Sequence, residues 1–285
     1  MQKYKTDWYL YYLINVTLII LVSFPIYWAF VSSIKQPDEL ITNTPTLFPK
    51  NPTFESYERI WNLEPTSSRG NVRSAFTNSA IVSIGTVVVS AVISTLAAYA
   101  LTILRTPFRH FIFLLIIMPI LIPGISLLIP LYKLVRELGL MNSYLGLILI
   151  HSTGMLTLGV FLMRNAFMSI PTSLREVALL EGSSELRILF TVMLPLAIPG
   201  LLTLMVFALY GAWNDFILAF LFVNTIDMEM LNVFLMKLTF AGSQFDTFWG
   251  LLNAGAIISF VPIIIFYIFL QQYFVRGVTG SAVKE

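Results

Sequence analysis

Asp215 is the one carboxylate inside a long apolar run, and it directly follows Trp213 and Asn214. An aromatic face beside amide and carboxylate groups is the chemistry that stacks on sugars and hydrogen-bonds their hydroxyls. Adjacent residues of a helix point in different directions, so all three share a cavity only where the helix is irregular. Two roles stay open for Asn214 and Asp215: a place on a solute pathway, or a bond to a neighbouring helix. His151, the other ionisable group in an apolar run, reads as a satisfied packing residue. Ser126 lies in Gly124-Ile125-Ser126-Leu127, a loose Gly-x-Ser-x nucleophile pattern for which His151 would be the base of an intramembrane serine protease. Pro119, Pro123, Gly124 and Pro130 surround Ser126. Broken helices in a membrane are tolerated where they line protein or a wet cavity, so Ser126 is either a pore position or part of a proline kink. Asn253 has the same standing.

Several chemistries are excluded. No Gly-x-x-x-x-Gly-Lys-[Ser/Thr] loop occurs, so the chain does not bind and hydrolyse ATP in the usual way. Ion-coupled secondary transporters place several ionisable groups within the membrane, and this chain has only Asp215 and His151 there. The chain has no cysteine and two distant histidines, His110 and His151, which rules out thiolate and multi-histidine metal sites. A net charge of +2 supplies no field for nucleic acid.

The elements that must position these residues are membrane spans. Hydrophobic residues make up 57% of the 285 positions and charged residues 11%, against about a quarter charged in soluble domains. A bilayer core of roughly 30 Å needs about 20 apolar helical residues. Six such runs occur, at about 10–31, 80–104, 111–132, 144–163, 196–223 and 250–274, giving an all-α membrane protein with six transmembrane helices. The first meets Lys35 and Gln36 rather than a small-residue cleavage site, so it reads as a retained helix. An even number of spans puts both termini on one side. Lys133, Arg136 and Lys237 are the only basic residues of the two shorter loops on the opposite side, which favours cytoplasmic termini. The extracytoplasmic loop 32–78, with five prolines, reads as a cap carrying short helices such as one over 54–61, or as a plain connector. No internal repeat appears, and the chain reads as one domain over 1–285, ending in a tail at 275–285.

Between the fourth and fifth spans, 164–195 is too polar to cross a membrane. Ser173 with Glu176 predicts a capping box opening a helix over 174–181. Gly182 interrupts it, as a position of positive φ or close contact would demand, and Ser183-Ser184 can cap a second helix. Leu186, Leu189, Phe190 and Met193 give that helix one apolar face, and Pro195 is expected to end it. The product is an elbow at the membrane surface.

Glu176-Val177-Ala178, three residues, Gly182, nine residues and Val192-Met193-Leu194-Pro195 resemble the EAA signature of bacterial ABC importer permeases, with Val177 and Val192 as conservative departures. Tyr273 to Gly280, Lys35 and Trp213 to Phe216 resemble corresponding segments of the maltose-type carbohydrate permeases. The resemblance implies a type I ABC importer permease fold in a bacterial or archaeal cytoplasmic membrane. It implies a coupling helix built on Glu176, Ala178, Gly182, Leu194 and Pro195 that docks on an ATPase. It further implies a tail, Arg276, Gly277, Val278 and Thr279, reaching the ATPase. Expected partners are a second related permease in a heterodimer, two ABC ATPase subunits carrying ATP and magnesium, an extracytoplasmic solute-binding protein, the lipid bilayer and a sugar. No cofactor is expected in the chain itself.

Overall fold

The computed structural model describes residues 2–279 apart from 41, 43, 67–68, 105 and 241–244. The side chains of 2–7, 240, 245–248 and 270–279 also lie outside the described set. The described residues form helices α1 (Gln2–Ser33), α2 (Pro37–Leu40), α3 (Glu55–Trp61), α4 (Val72–Thr102), α5 (Arg109–Ile117), α6 (Leu128–Glu137) and α7 (Tyr144–Met168). They continue with α8 (Thr172–Leu180), α9 (Glu185–Ile188), α10 (Leu194–Trp213), α11 (Ile217–Phe222), α12 (Leu231–Phe240) and α13 (Phe245–Thr279). Among them α1, α4, α7, α10 and α13 are long and apolar enough to cross a membrane.

The third expected span is not one helix. Arg109–Leu121 and Gly124–Glu137 meet at 97°. Pro119 lies in a 3₁₀ turn closing the first arm, and Ile122, which precedes Pro123, is extended at φ −97° and ψ 121°. A residue before proline is pushed out of the α region by the ring, so the helix stops there. Beyond the bend, α6 buries Val135 and packs Leu131 and Tyr132 beside it, while Lys133, Arg136 and Glu137 stay exposed. That one-sided pattern suits a surface helix rather than a straight continuation of a span.

The chain groups into two units. One comprises Met1–Arg73 with Phe234–Pro262, and the other Ser74–Val233 with the end of the chain from Ile263. In the first unit, Lys35 is fully buried, donates from Nζ to the Thr46 carbonyl at 2.5 Å and lies 4.6 Å over the Trp28 ring. Glu39 accepts from the backbone N–H groups of Lys50 (2.9 Å) and Asn51 (3.1 Å), which fixes the loop after α2. A buried ammonium and a buried carboxylate are retained because each is hydrogen-bonded.

The second unit is built on close helix approach. A Cβ on Gly159 would lie 2.2 Å from Ser94 Oγ and 3.0 Å from Leu204, and one on Gly200 would lie 2.6 Å from Ala166 Cβ. Small residues at these crossings let α4 and α10 pack directly on α7, which is how helices associate where lipid removes the usual hydrophobic drive. Val160, Met163 and Phe167 of α7 join Ile188, Leu189, Met193, Ala197 and Leu204 in one core.

Candidate functional site

The elbow is a short helix, a tight reversal and a helix fused to the following span. Its first helix starts at Thr172, two residues earlier than the Ser173–Glu176 pattern predicts. Pro171 is the N-cap, at φ −60° and ψ 130°, and makes no side-chain bond. The proline ring already holds the extended φ that an N-cap adopts, so the helix begins immediately after it and Ser173 lies inside the first turn.

Gly182 stands at φ +79° with open space where a Cβ would be. Its N–H bonds to the Leu179 carbonyl at 3.0 Å and the Ser183 N–H to the Ala178 carbonyl at 3.0 Å. This pair is the Schellman closure, satisfying the last carbonyls of α8 through a left-handed residue. Ser184 caps α9, its Oγ accepting from the Arg187 N–H at 3.4 Å.

Pro195 does not end the second helix, contrary to the sequence expectation. Leu189–Met193 form a π turn between α9 and α10, and Pro195 lies in the first turn of α10. A wider turn gives room to a proline ring that would strike the carbonyl four residues back in an ordinary helix. The extra residue also shifts the apolar register. Ile188 and Met193, five apart, are fully buried with Leu189, whereas Leu186 and Phe190 are 64% and 57% exposed. The expected face of Leu186, Leu189, Phe190 and Met193 is therefore split between core and surface.

Ala178 is buried against the core, while Glu176, Val177, Leu179, Leu180 and Pro195 are exposed, Leu180 at 88%. Leu194 is half-buried. The two helices are tied to each other and to α4. Glu185 Oε2 accepts from the Tyr99 hydroxyl at 2.8 Å, and its carboxylate pairs with the Arg175 guanidinium.

The second region is the break after α10. The fifth span, expected to run unbroken over 196–223, stops at Trp213 and resumes as α11. Trp213 is 4% exposed, its ring edge-on to Phe76 at 5.3 Å. Asn214 is exposed and its amide bonds back to the Tyr210 carbonyl at 3.1 Å. Asp215 caps α11, accepting from the N–H groups of Leu218 (3.3 Å) and Ala219 (2.8 Å). The His151 Nε2 of α7 lies 3.8 Å from Asp215 Oδ2. From α12, the Asn232 amide donates to the carbonyls of Trp213 (3.0 Å) and Asp215 (3.2 Å), so the groups freed by the break are satisfied from a distant element.

Ser126 is exposed in the 3₁₀ turn Gly124–Leu127 that follows the bend. Asn253 lies on α13 and bonds back to the Trp249 carbonyl at 2.7 Å. The side chains of Arg276 to Thr279 are outside the described residues. Tyr99, Arg175, Glu185 and Asn232 were not singled out by the sequence. An asparagine in an apolar run is the one signal that points to Asn232; nothing local links Tyr99 to a residue 86 positions away.

Five long apolar helices among the described residues, a bent helix pair and a capped elbow before the fifth apolar run are the architecture of a polytopic membrane protein. Residues 90–280 match the family described as binding-protein-dependent transport system inner membrane component, and the chain belongs to that family. It is 32% identical over 266 residues to the probable ABC transporter permease YurM of Bacillus subtilis (strain 168), covering 93% of this chain and 85% of that one. It is 32% identical over 287 residues to the probable starch degradation products transport system permease AmyC of Thermoanaerobacterium thermosulfurigenes, covering 100% of both. The fold also matches a crystal structure of a bacterial ABC transporter involved in import of the acidic polysaccharide alginate. That match has a TM-score of 0.85 at 24% identity, over 96% of this chain and 98% of that chain. The chain is thus a membrane-embedded transport subunit, and neither the serine-protease nor the secondary-transporter alternative is needed.

Proposed function

We propose that this chain forms half of the translocation path of an importer for a sugar or oligosaccharide, paired with a related permease. Two ATPase subunits, which carry ATP and magnesium, dock on the two elbows. A solute-binding protein delivers the substrate to the outer face, and both termini lie in the cytoplasm. ATP-driven closure of the ATPases pushes the elbows together, and the path alternates between outward and inward openings.

The observation that carries this reading is the elbow itself. A lever that transmits motion must be short, closed and rigid, and α8 meets that need through its Schellman closure at Gly182. Exposed Leu180, Leu186 and Phe190 offer an apolar surface to a partner, and exposed Glu176 a charge beside it. The tail residues Arg276, Gly277, Val278 and Thr279 are a second contact with the ATPase in this reading. The sugar class is supported by relatives such as AmyC, whose transport system handles starch degradation products.

Trp213, Asn214, Asp215, Ser126 and Asn253 are the pathway candidates. Of these, Asn214 and Ser126 have exposed side chains, whereas the Asp215 carboxylate is engaged by two backbone amides. We therefore assign solute contact first to Asn214 and a supporting role to Asp215. Affinity purification of the tagged chain from gently solubilised membranes, with mass spectrometry of what accompanies it, tests the assembly. Recovery of a second permease and a phosphate-loop ATPase is expected; a chain that purifies alone and transports without an ATPase overturns the reading.

A further inference from the structure

The elbow is not joined to the bundle by packing alone. Arg175 on α8 and Glu185 on α9 form an ion pair across the Gly182 turn, and the same carboxylate accepts the Tyr99 hydroxyl from α4. Tyr99 is 4% exposed, with its ring edge-on to Phe167 of α7 at 5.6 Å. One carboxylate therefore collects a contact from each side: the helix that faces outward on the elbow, and a tyrosine set between two long helices. The ion pair is half-exposed and contributes little to stability by itself. Its value is geometric, because a bidentate-capable guanidinium and a buried hydroxyl hold the carboxylate in one orientation.

We propose that Arg175, Glu185 and Tyr99 form a polar strut that passes displacement of the elbow to α4, making these three positioning residues of the transport cycle. The inference rests on the elbow being the ATPase-docking lever. Without the strut, α8 can rock about Gly182 when it is pushed, since the position a Cβ would take on that residue is open space. With it, α8, α9 and the end of α4 move as one body, and α7 is carried through the Tyr99–Phe167 contact. The core that holds Ile188, Leu189 and Met193 fixes α9 to the bundle, while within α8 itself Ala178 is the residue buried in that core and Arg175 makes the ion pair. The polar contacts therefore stiffen α8 against the bundle, beyond what its own closure at Gly182 supplies.

The chain has no cysteine, so a single one can be introduced as a reporter. Val88, exposed on α4, is replaced by cysteine and labelled with an environment-sensitive fluorophore in the complex assembled with its ATPase. A non-hydrolysable ATP analogue with magnesium is expected to change the emission. In Tyr99→Phe, which keeps the ring on Phe167, and in Arg175→Ala, that change is expected to fall by about half or more while the ATPase stays bound. The charge swap Arg175→Glu with Glu185→Arg is expected to recover most of it, which a general loss of folding would not allow. An unaltered response in both single variants, no response at Val88 in the parent, or loss of the ATPase from Tyr99→Phe each overturns the strut. Failure of the parent chain to retain an ATPase at all overturns the elbow reading instead.

Discussion

The elbow and the break after α10 both reverse or interrupt a helix, and they do so by opposite means. In the elbow the turn is made by backbone: Gly182 adopts φ +79°, and two backbone bonds close α8. In the break the turn is held by side chains, the local Asp215 capping α11 and, from afar, Asn232 holding two carbonyls and His151 facing the carboxylate. The difference follows from surroundings. The elbow's outer face lies outside the apolar runs, where water can satisfy a loose group, so a local motif suffices. The break interrupts an apolar run, where every backbone group needs a protein partner and each partner costs a buried polar residue. The turn of the elbow is therefore a self-contained motif, and the break a fitted junction.

The largest effect is expected from removing the junction's central group. Asp215→Ala leaves the N–H groups of Leu218 and Ala219 unpaired and is expected to cost about 2–3 kcal/mol. Asp215→Asn, which keeps one acceptor, is expected to cost about half as much. Thermal unfolding of the purified chain in micelles, read by loss of helical signal, ranks the two. Equal midpoints for parent and Asp215→Ala would mean that the junction is held by Asn232 alone.

Gly182→Val should behave in the opposite way. A β-branched residue at φ +79° is strained by about 1–2 kcal/mol, but the strain is local because nothing crowds the position. The unfolding midpoint is expected to drop less than for Asp215→Ala, while retention of the ATPase in pulldown is lost. Gly182→Asn, which tolerates the left-handed region, is expected to keep most of it. A valine variant that still binds the ATPase would break the contrast between lever and junction.

This contrast also explains what could be read beforehand. Long apolar runs and the Gly182–Ser184 turn are written in neighbouring residues, so the helical bundle, the elbow and its cap are legible from the sequence. The 97° bend was legible only as a cluster of prolines, since which proline breaks a helix and which merely bends it depends on room in the surrounding bundle. The π turn at Leu189–Met193 escaped because nothing in an apolar stretch marks one extra residue per turn. That missed residue is why Leu186 and Phe190 fall on the surface. The clamps escaped for another reason: Tyr99 meets Glu185 across 86 positions, and Asn232 meets Trp213 across 19, distances over which pattern carries no information.

Glu39 repeats the junction's device outside the apolar runs, where pH can reach it. Its carboxylate is held below the usual range of about 4.5, first by the N–H of Lys50 and then by that of Asn51, with help from the Lys35 charge. A depressed folded value means that its contribution is present above the unfolded pKa and is lost as pH falls through the folded one. The unfolding midpoint is therefore expected to be level near neutrality and to decline below about pH 4.5. Glu39→Gln is expected to start lower and to flatten that acid limb. An unchanged acid limb in the variant would assign the decline to other carboxylates.

The smallest effect separates two serine caps. Ser143 Oγ accepts from the Gly146 N–H at 3.0 Å at the start of α7, whereas Ser184 Oγ lies 3.4 Å from the Arg187 N–H at the start of α9. Ser143 also donates to the Leu140 carbonyl at 2.8 Å, so its hydroxyl is engaged on both sides. Ser143→Ala is expected to cost about 1 kcal/mol and Ser184→Ala about 0.5 kcal/mol, the longer contact falling at the weak end for N-caps. Because Gly182 and the Arg175–Glu185 pair hold the elbow independently, Ser184→Ala is expected to leave ATPase retention unchanged. If it released the ATPase, the start of α9 rather than the closure of α8 would be what sets the docking surface.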